Sequence, residues 1–262
     1  MFNDTQIMAI MNLTPDSFYA NSRLLSTQEV VDKAGIFIEE GAEIIDIGGQ
    51  STRPGASMIS EEEEIQRISP AIEAISKAFP DVLVSIDTFQ SKVAEAAIVE
   101  GAKMVNDISC GSFDPNILEL VSKYNISYVG MHITGTKETM HEVTKRDNII
   151  QELIQFFTQK KILFAQKGIH HWIIDPGFGF GKTIEENFTI IKELQQLNIL
   201  ELPILVGVSR KSSIYKTLGI SPEEALNGTT VVNTIALKNG ASILRVHDVK
   251  EARQAMRLIE LL

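Results

Sequence analysis

Eight short runs rich in isoleucine, valine and methionine recur along the chain, near positions 7–12, 43–48, 83–87, 104–108, 127–132, 172–175, 204–208 and 243–247. Most intervals between them repeat apolar residues at helical spacing; Ile65, Ile68, Ile72 and Ile75 mark one buried helix face. Strand and helix therefore alternate, which is the order that builds a parallel sheet. Eight such repeats in 262 residues close an α/β fold of the (β/α)8 barrel type more naturally than they fill an open sheet, and a doubly wound open sheet is the alternative. Local punctuation keeps the same phase. Ser26 with Glu29, Ser60 with Glu63 and Asp248 with Glu251 have capping-box spacing or a close relative of it, while Asp114-Pro115 and Ser221-Pro222 place a cap before a first-turn proline.

Composition narrows the picture without changing it. A chain that is 44% hydrophobic buries one large core, and no linker, charge block or low-complexity tract divides it, so residues 1–262 read as one domain. The net charge of −10 argues against a nucleic-acid or anionic-membrane surface, so an anionic ligand needs a local basic cluster. The single cysteine, Cys110, excludes an intramolecular disulfide and a cysteine metal cage. The run Ile7 to Met11 is too short to span a bilayer and follows Asp4 rather than a basic segment. A cytoplasmic protein is expected, in which the Asn-x-Ser/Thr triplets carry no sugar.

The chemistry lies in what ends each run, because a barrel's active site is built at the C-terminal ends of its strands. The runs end in Asn12, Asp46, Asp87, Asn106-Asp107, His132, Asp175, Ser209-Arg210-Lys211 and Arg245-Val246-His247-Asp248. One polar strand end is usually a cap or turn; eight together describe a ring of carboxylates and amides facing cations. Such a ring suits a flat, hydrogen-bonding heterocycle with an anionic tail. Arg245 and His247, two apart on one strand, share a face at the same mouth. His170-His171 precedes the sixth run, away from that end, and reads as a surface or turn feature.

Seven segments then carry a resemblance. Met11-Asn12-Leu13-Thr14-Pro15-Asp16-Ser17-Phe18, Gly48-Gly49-Gln50-Ser51-Thr52-Arg53-Pro54-Gly55, Ser85-Ile86-Asp87-Thr88, Asn106-Asp107-Ile108, Asp175-Pro176-Gly177-Phe178-Gly179-Phe180-Gly181-Lys182, Gly207-Val208-Ser209-Arg210-Lys211-Ser212 and Arg245-Val246-His247-Asp248-Val249 resemble, in order, the signatures of the dihydropteroate synthase family. The first two and the Asp-Pro-Gly-Phe-Gly-Phe-Gly-Lys segment are highly specific.

The resemblance implies a reaction that joins p-aminobenzoate to (7,8-dihydropterin-6-yl)methyl diphosphate, releasing diphosphate. It places the pterin against Asp87, Asn106, Met131, Asp175 and Lys211. The diphosphate falls to Asn12, Arg245 and His247, with Asn12 as the one protein ligand of Mg²⁺, an ion that keeps most of its shell as water and phosphate oxygen. The p-aminobenzoate falls to Phe18, Thr52, Arg53, Pro54, Phe180, Lys211 and Ser212. Asp87, Asp175, Lys211, Arg245 and His247 are the catalytic set, acting through ionisation to a pterin-methylene cation before the amine attacks. A homodimer formed through late helices is also implied.

Two patterns mislead. Gly181-Lys182-Thr183 imitates the end of a Walker loop, but Pro176 stands where that loop needs glycine, so the glycines read as a tight turn beside the pterin. The acidic run Glu61 to Glu64 reads as a helix N-terminal turn rather than a metal site. The chain departs from the family pattern at Gln50, at Ala20-Asn21-Ser22 and at Lys137, all in loops or behind the ligand-facing residues. A methyl-transferring pterin barrel would share the carboxylate face without needing Thr52-Arg53-Pro54 or Ser209-Arg210-Lys211. A non-catalytic pterin-binding protein would have little use for Arg53, Lys211, Arg245 and His247.

Overall fold

The computed structural model describes residues 5–14, 26–50 and 58–262. Eight parallel strands alternate with helices: β1 (Gln6–Asn12), α1 (Thr27–Glu40), β2 (Ile44–Gly48), α2 (Glu61–Ala78), β3 (Leu83–Asp87), α3 (Ser91–Val99), β4 (Met104–Asp107), α4 (Asn116–Tyr124), β5 (Ser127–Met131), α5 (Ile149–Gln166), β6 (Trp172–Asp175), α6 (Ile184–Lys192), β7 (Leu205–Val206), α7 (Ser212–Leu218), α8 (Leu226–Lys238), β8 (Ile243–Val246) and α9 (Val249–Ile259). The strand order β6-β5-β4-β3-β2-β1-β8-β7 is closed by a parallel bridge from Ile174 to Ile204, so the sheet is a (β/α)8 barrel rather than an open doubly wound sheet. No helix among the described residues is long and apolar enough to cross a membrane.

Alternation along each strand divides the barrel into layers. One residue from every strand forms its apolar floor: Met8, Ile44, Leu83, Met104, Val129, Ile173, Leu205 and Ile243. Two residues further on, the same inward face carries Ile10, Asp46, Ser85, Asn106, Met131, Asp175, Gly207 and Arg245. The barrel is therefore oily below and polar above, and the change occurs within one strand repeat. The outward faces, including Ile45, Ile47, Val84 and Ile86, bury against helix stripes such as Ile68, Ile72 and Ile75. Each fully buried isoleucine contributes roughly 1.5–3 kcal/mol of transfer free energy.

Ser26 and Glu29 form the expected capping box, and the Ser60 side chain accepts from the Glu63 N–H. The acidic run is the first turn of α2, although Glu64 at its end is buried and accepts from the Gln90 amide at 2.6 Å. Two expected caps do not form. Asp248 makes no cap bond to α9 because Arg210 takes both of its oxygens, at 2.9 Å each. Ser221-Pro222 begins a turn, and α8 starts only at Leu226. Asp114 does accept from the Asn116 N–H, but α4 begins after the proline rather than with it.

Candidate active site

The centre of the polar layer is a linked set of four side chains. Asp46, on an otherwise apolar strand, is 0% exposed and accepts from the Asn106 amide at 2.9 Å and from Arg245 Nε at 2.7 Å. Arg245 reaches past it to Asp87, donating from Nη2 at 2.6 Å. Gly207, on the neighbouring strand, flanks the arginine stem, and a Cβ there would stand in ordinary contact with it, 3.7 Å from Arg245 Cβ. Burial pushes Asp87 up to about 7, with repulsion from Asp46 and Glu64 adding to it and the Arg245 charge opposing. The arginine keeps its proton firmly between two carboxylates.

The opposite wall is built by Asp175 and Lys211. Asp175 accepts from the Gly177 N–H at 2.7 Å, and burial raises it against the nearby Lys211 charge. Lys211, at the start of α7, donates to the Phe178 carbonyl and lies 4.7 Å from the centre of the Phe180 ring. Burial lowers it to about 8. Met131 packs with Phe89, Ile108, Ile133 and Met140, and Phe180 borders that cluster, so an apolar shelf lies beside the charged wall. Ser212 opens α7 next to Lys211. His247 follows β8 as an exposed residue whose Nδ1 lies 3.1 Å from the buried Ser209 hydroxyl. Asn12 ends β1 beside Gly48, where an added Cβ would meet Asn12 Oδ1 at 3.2 Å and Asp87 Oδ2 at 3.8 Å. Phe18, Thr52, Arg53 and Pro54 lie outside the described residues.

Three residues of the polar strand ends do not belong to this ring. Asp107 faces outward under the helices, where it accepts from the Tyr128 hydroxyl at 2.6 Å, from Ser109 and from the Gly111 N–H, fixing the turn after β4. His132 also turns outward, onto the edges of Phe156 and Phe157, and its Nε2 lies 3.2 Å from Glu152. Arg146 already pairs with that carboxylate at 2.8 Å, so the carboxylate charge is answered without a proton on the histidine. Arg210 likewise points away from the mouth, toward Asp248 and the Pro222 and Glu223 carbonyls. His170 and His171 are exposed, as expected.

The His132 environment has a measurable consequence. Burial pushes its pKa down to about 2, helped by the Lys182 and Arg146 charges. The folded value lies below that of the unfolded chain, about 6.5. The unfolded state therefore takes up the extra proton, and this contribution to stability, full above pH ~6.5, is lost as pH falls. Urea unfolding between pH 6.5 and 5 should show His132→Gln losing about 1–2 kcal/mol less than the parent chain. Parallel losses would remove His132 as the cause.

Three residues that hold the mouth together carry little local signal. Asp46 is visible as an acid inside an Ile-Ile-Asp-Ile strand, but its partners are distant in sequence. Lys182, which resembles a phosphate-binding lysine, is buried beneath its own loop and donates to the carbonyls of His132, Gly177 and Phe180. Burial and the Arg146 charge lower it to about 7, while three carbonyl acceptors match its three N–H donors. Arg146 is the third. Among the described residues no group of three His, Cys, Asp or Glu side chains converges as a metal cage. The Asn12 amide oxygen at the rim fits an ion that draws its other ligands from water and phosphate oxygen.

Comparison with known proteins agrees with this architecture. The model of the family described as pterin binding enzyme matches residues 8–247. The dihydropteroate synthase of Escherichia coli K12 is 41% identical over 256 residues, covering 97% of this chain and 90% of that one. A crystal structure of the Clostridium difficile dihydropteroate synthase in the presence of pteroic acid superposes with a TM-score of 0.92 at 34% identity, covering 99% of this chain and 97% of that one. The Xanthomonas albilineans dihydropteroate synthase with 4-aminobenzoic acid also gives a TM-score of 0.92 at 34% identity, covering 99% and 93%.

Proposed function

Because the chain belongs to the pterin-binding enzyme family, and within it to the dihydropteroate synthases by its identity to them over almost its whole length, we propose that it condenses (7,8-dihydropterin-6-yl)methyl diphosphate with p-aminobenzoate to give 7,8-dihydropteroate and diphosphate. The observation that carries this reading is the Asp46, Asn106, Arg245 and Asp87 set facing Asp175 and Lys211 across the barrel mouth. Carboxylates and an amide match the donors and acceptors of a guanidine-like pterin edge, and such a site rejects analogues lacking that edge. Asp87, Asn106 and Asp175 take that edge in this reading, Lys211 takes the carbonyl side, and Met131 packs on the ring. Solved relatives with pteroic acid and with 4-aminobenzoic acid support the same two halves of the product.

The carbon–oxygen bond ionises before the amine attacks. Asp87 and Asp175 stabilise positive charge spreading into the ring, while Arg245 beside Asp87 and His247 at the rim receive the leaving diphosphate. Asn12 would hold Mg²⁺ there; the ion, when bound, supplies charge neutralisation to the diphosphate. In this reading p-aminobenzoate is taken by Phe180, by Phe18 of the stretch after β1, by Thr52, Arg53 and Pro54 of the stretch after β2, and by Ser212 and Lys211 at the helix start for its carboxylate. No covalent enzyme nucleophile is needed. The single buried Cys110, whose thiol burial pushes up, supports a reducing, cytoplasmic setting. Exposed Val231, Ile235 and Leu258 on α8 and α9 support a homodimer through late helices.

Purified protein mixed with both substrates and Mg²⁺ should release dihydropteroate and diphosphate together. Absence of product at saturating substrates would favour a binding protein instead, and full turnover without a divalent ion would remove magnesium. Within that assay, Lys211→Ala should weaken pterin binding by about tenfold or more, as expected for one charge-assisted bond. Arg53→Ala should mainly raise the KM for p-aminobenzoate. Equal losses in both titrations would reject that division.

A further inference from the structure

Two buried cations grip the loop after β6 from behind, and neither belongs to the pterin-facing set. Arg146, just before α5, has a side chain only 6% exposed. Its Nε donates to Glu152 at 2.8 Å, Nη2 to the Thr134 hydroxyl at 2.8 Å, and Nη1 to the carbonyls of Thr144 at 2.6 Å and Gly181 at 2.9 Å, with Glu186 3.4 Å away. Its own N–H donates to Glu186 at 2.8 Å. One guanidinium thus joins the loop after β5, the first turns of α5 and α6, and the loop after β6.

The residue beside its Gly181 contact is Phe180. Lys182 holds the Phe180 carbonyl at 3.2 Å, so the backbone on both sides of the Phe180–Gly181 peptide is bonded to a buried cation. The ring itself has two close neighbours: His141 stacks on it at 5.7 Å and 23°, and the Lys211 ammonium stands 4.7 Å from its centroid. His141 comes from the same β5 loop that Arg146 closes. Gly181 allows the approach, since a Cβ there would press to 3.2 Å on the Glu142 carbonyl.

We propose that Arg146 is a positioning residue for the second substrate, fixing Phe180 and its stacked His141 at the width that admits the p-aminobenzoate ring. The inference rests on the reading of Phe180 given above. A fork with five N–H groups can span acceptors on four chain segments; a lysine ammonium cannot, so charge alone does not substitute. The pterin-facing Asp87, Asn106 and Asp175 hang from strands β3, β4 and β6 and make no hydrogen bond to the guanidinium, and Lys182 still holds the Gly177 carbonyl beside Asp175, so their geometry survives its loss.

Steady-state kinetics and direct pterin titration of Arg146→Gln, Arg146→Lys and Thr134→Val test this in the full chain. Both arginine variants should raise the KM for p-aminobenzoate about tenfold, the equivalent of one charge-assisted hydrogen bond. Thr134→Val, which removes one acceptor and keeps the ion pairs, should raise it about threefold. Pterin affinity should stay within about twofold in all three. If the parent chain makes no dihydropteroate, the underlying reading fails. If it does, an unchanged KM for p-aminobenzoate, an equal shift for both substrates, or full rescue by lysine would overturn the role of Arg146. Should the arginine variants not fold, Thr134→Val decides by the same split.

Discussion

Asp46→Ala is expected to reduce kcat/KM by ~10²-fold or more and to destabilise the fold by about 3–5 kcal/mol, because both losses come from one atom. Asp46 Oδ2 is the meeting point of Asn106 and Arg245, and it is sealed from solvent. Alanine leaves a largely buried guanidinium with Asp87 as its remaining ion-pair partner among the described residues and frees Asn106 to turn away from the pterin edge. Breaking a buried pair by removing one partner is far more damaging than never having built it. Asp46→Asn keeps the shape and one acceptor oxygen but not the charge, and should fall between. The checks are steady-state kinetics and urea unfolding of the parent and both variants. An alanine variant with parental kcat/KM and an unmoved urea midpoint would show that Arg245 and Asn106 are held by something other than Asp46.

Gly177→Ala should lose about 3 kcal/mol or more and most of its activity. Gly177 has φ of +72°, where a side chain is strained, and a Cβ would stand 2.2 Å from the His132 carbonyl oxygen and 2.9 Å from Lys182 Nζ. The first of these neighbours is backbone and cannot step aside. The loop must then move, taking with it the N–H that binds Asp175 and the carbonyl that binds Lys182. Gly219 is a control built into the same molecule. Its φ is +67°, yet a Cβ would meet nothing within 4 Å, so Gly219→Ala should lose only the conformational component, about 1 kcal/mol. Similar urea midpoints for the two variants would mean that the close approach to His132 carries no energy.

The strands were legible in sequence because each is short, β-branched and buried on both faces, so the apolar runs and the barrel wall coincide within a residue or two. The site was legible as chemistry rather than as wiring. Asn106 and Asp107 are adjacent in sequence, but strand alternation sends one into the mouth and the other under the helices. His132, one residue past Met131, turns outward for the same reason. Asp46 was visible as one acid of the ring, but its links were not, because its partners are 60 and 199 residues away. The failed cap at Asp248 has a similar origin: a capping residue competes for whatever donor reaches it first, and here Arg210 arrives from another strand end. Arg146 was hidden most completely, since two of its five guanidinium acceptors are backbone carbonyls, which leave no trace in side-chain pattern, and the other three are side chains on three different segments.

The barrel wall is not equally laced around its circumference. β7 contributes two residues, and across the seam to β6 a single bridge at Ile174 and Ile204 and the bond from Ile174 N–H to the Pro203 carbonyl at 3.0 Å carry the closure. Fewest backbone bonds means lowest free energy of local opening, so spontaneous breathing of the cylinder concentrates there. Asp175 stands on one bank of that seam and Lys211 beyond the other. A molecule gripped by both would suture the wall from within, making occupancy of the mouth and protection of the seam amides against solvent exchange two readings of a single equilibrium.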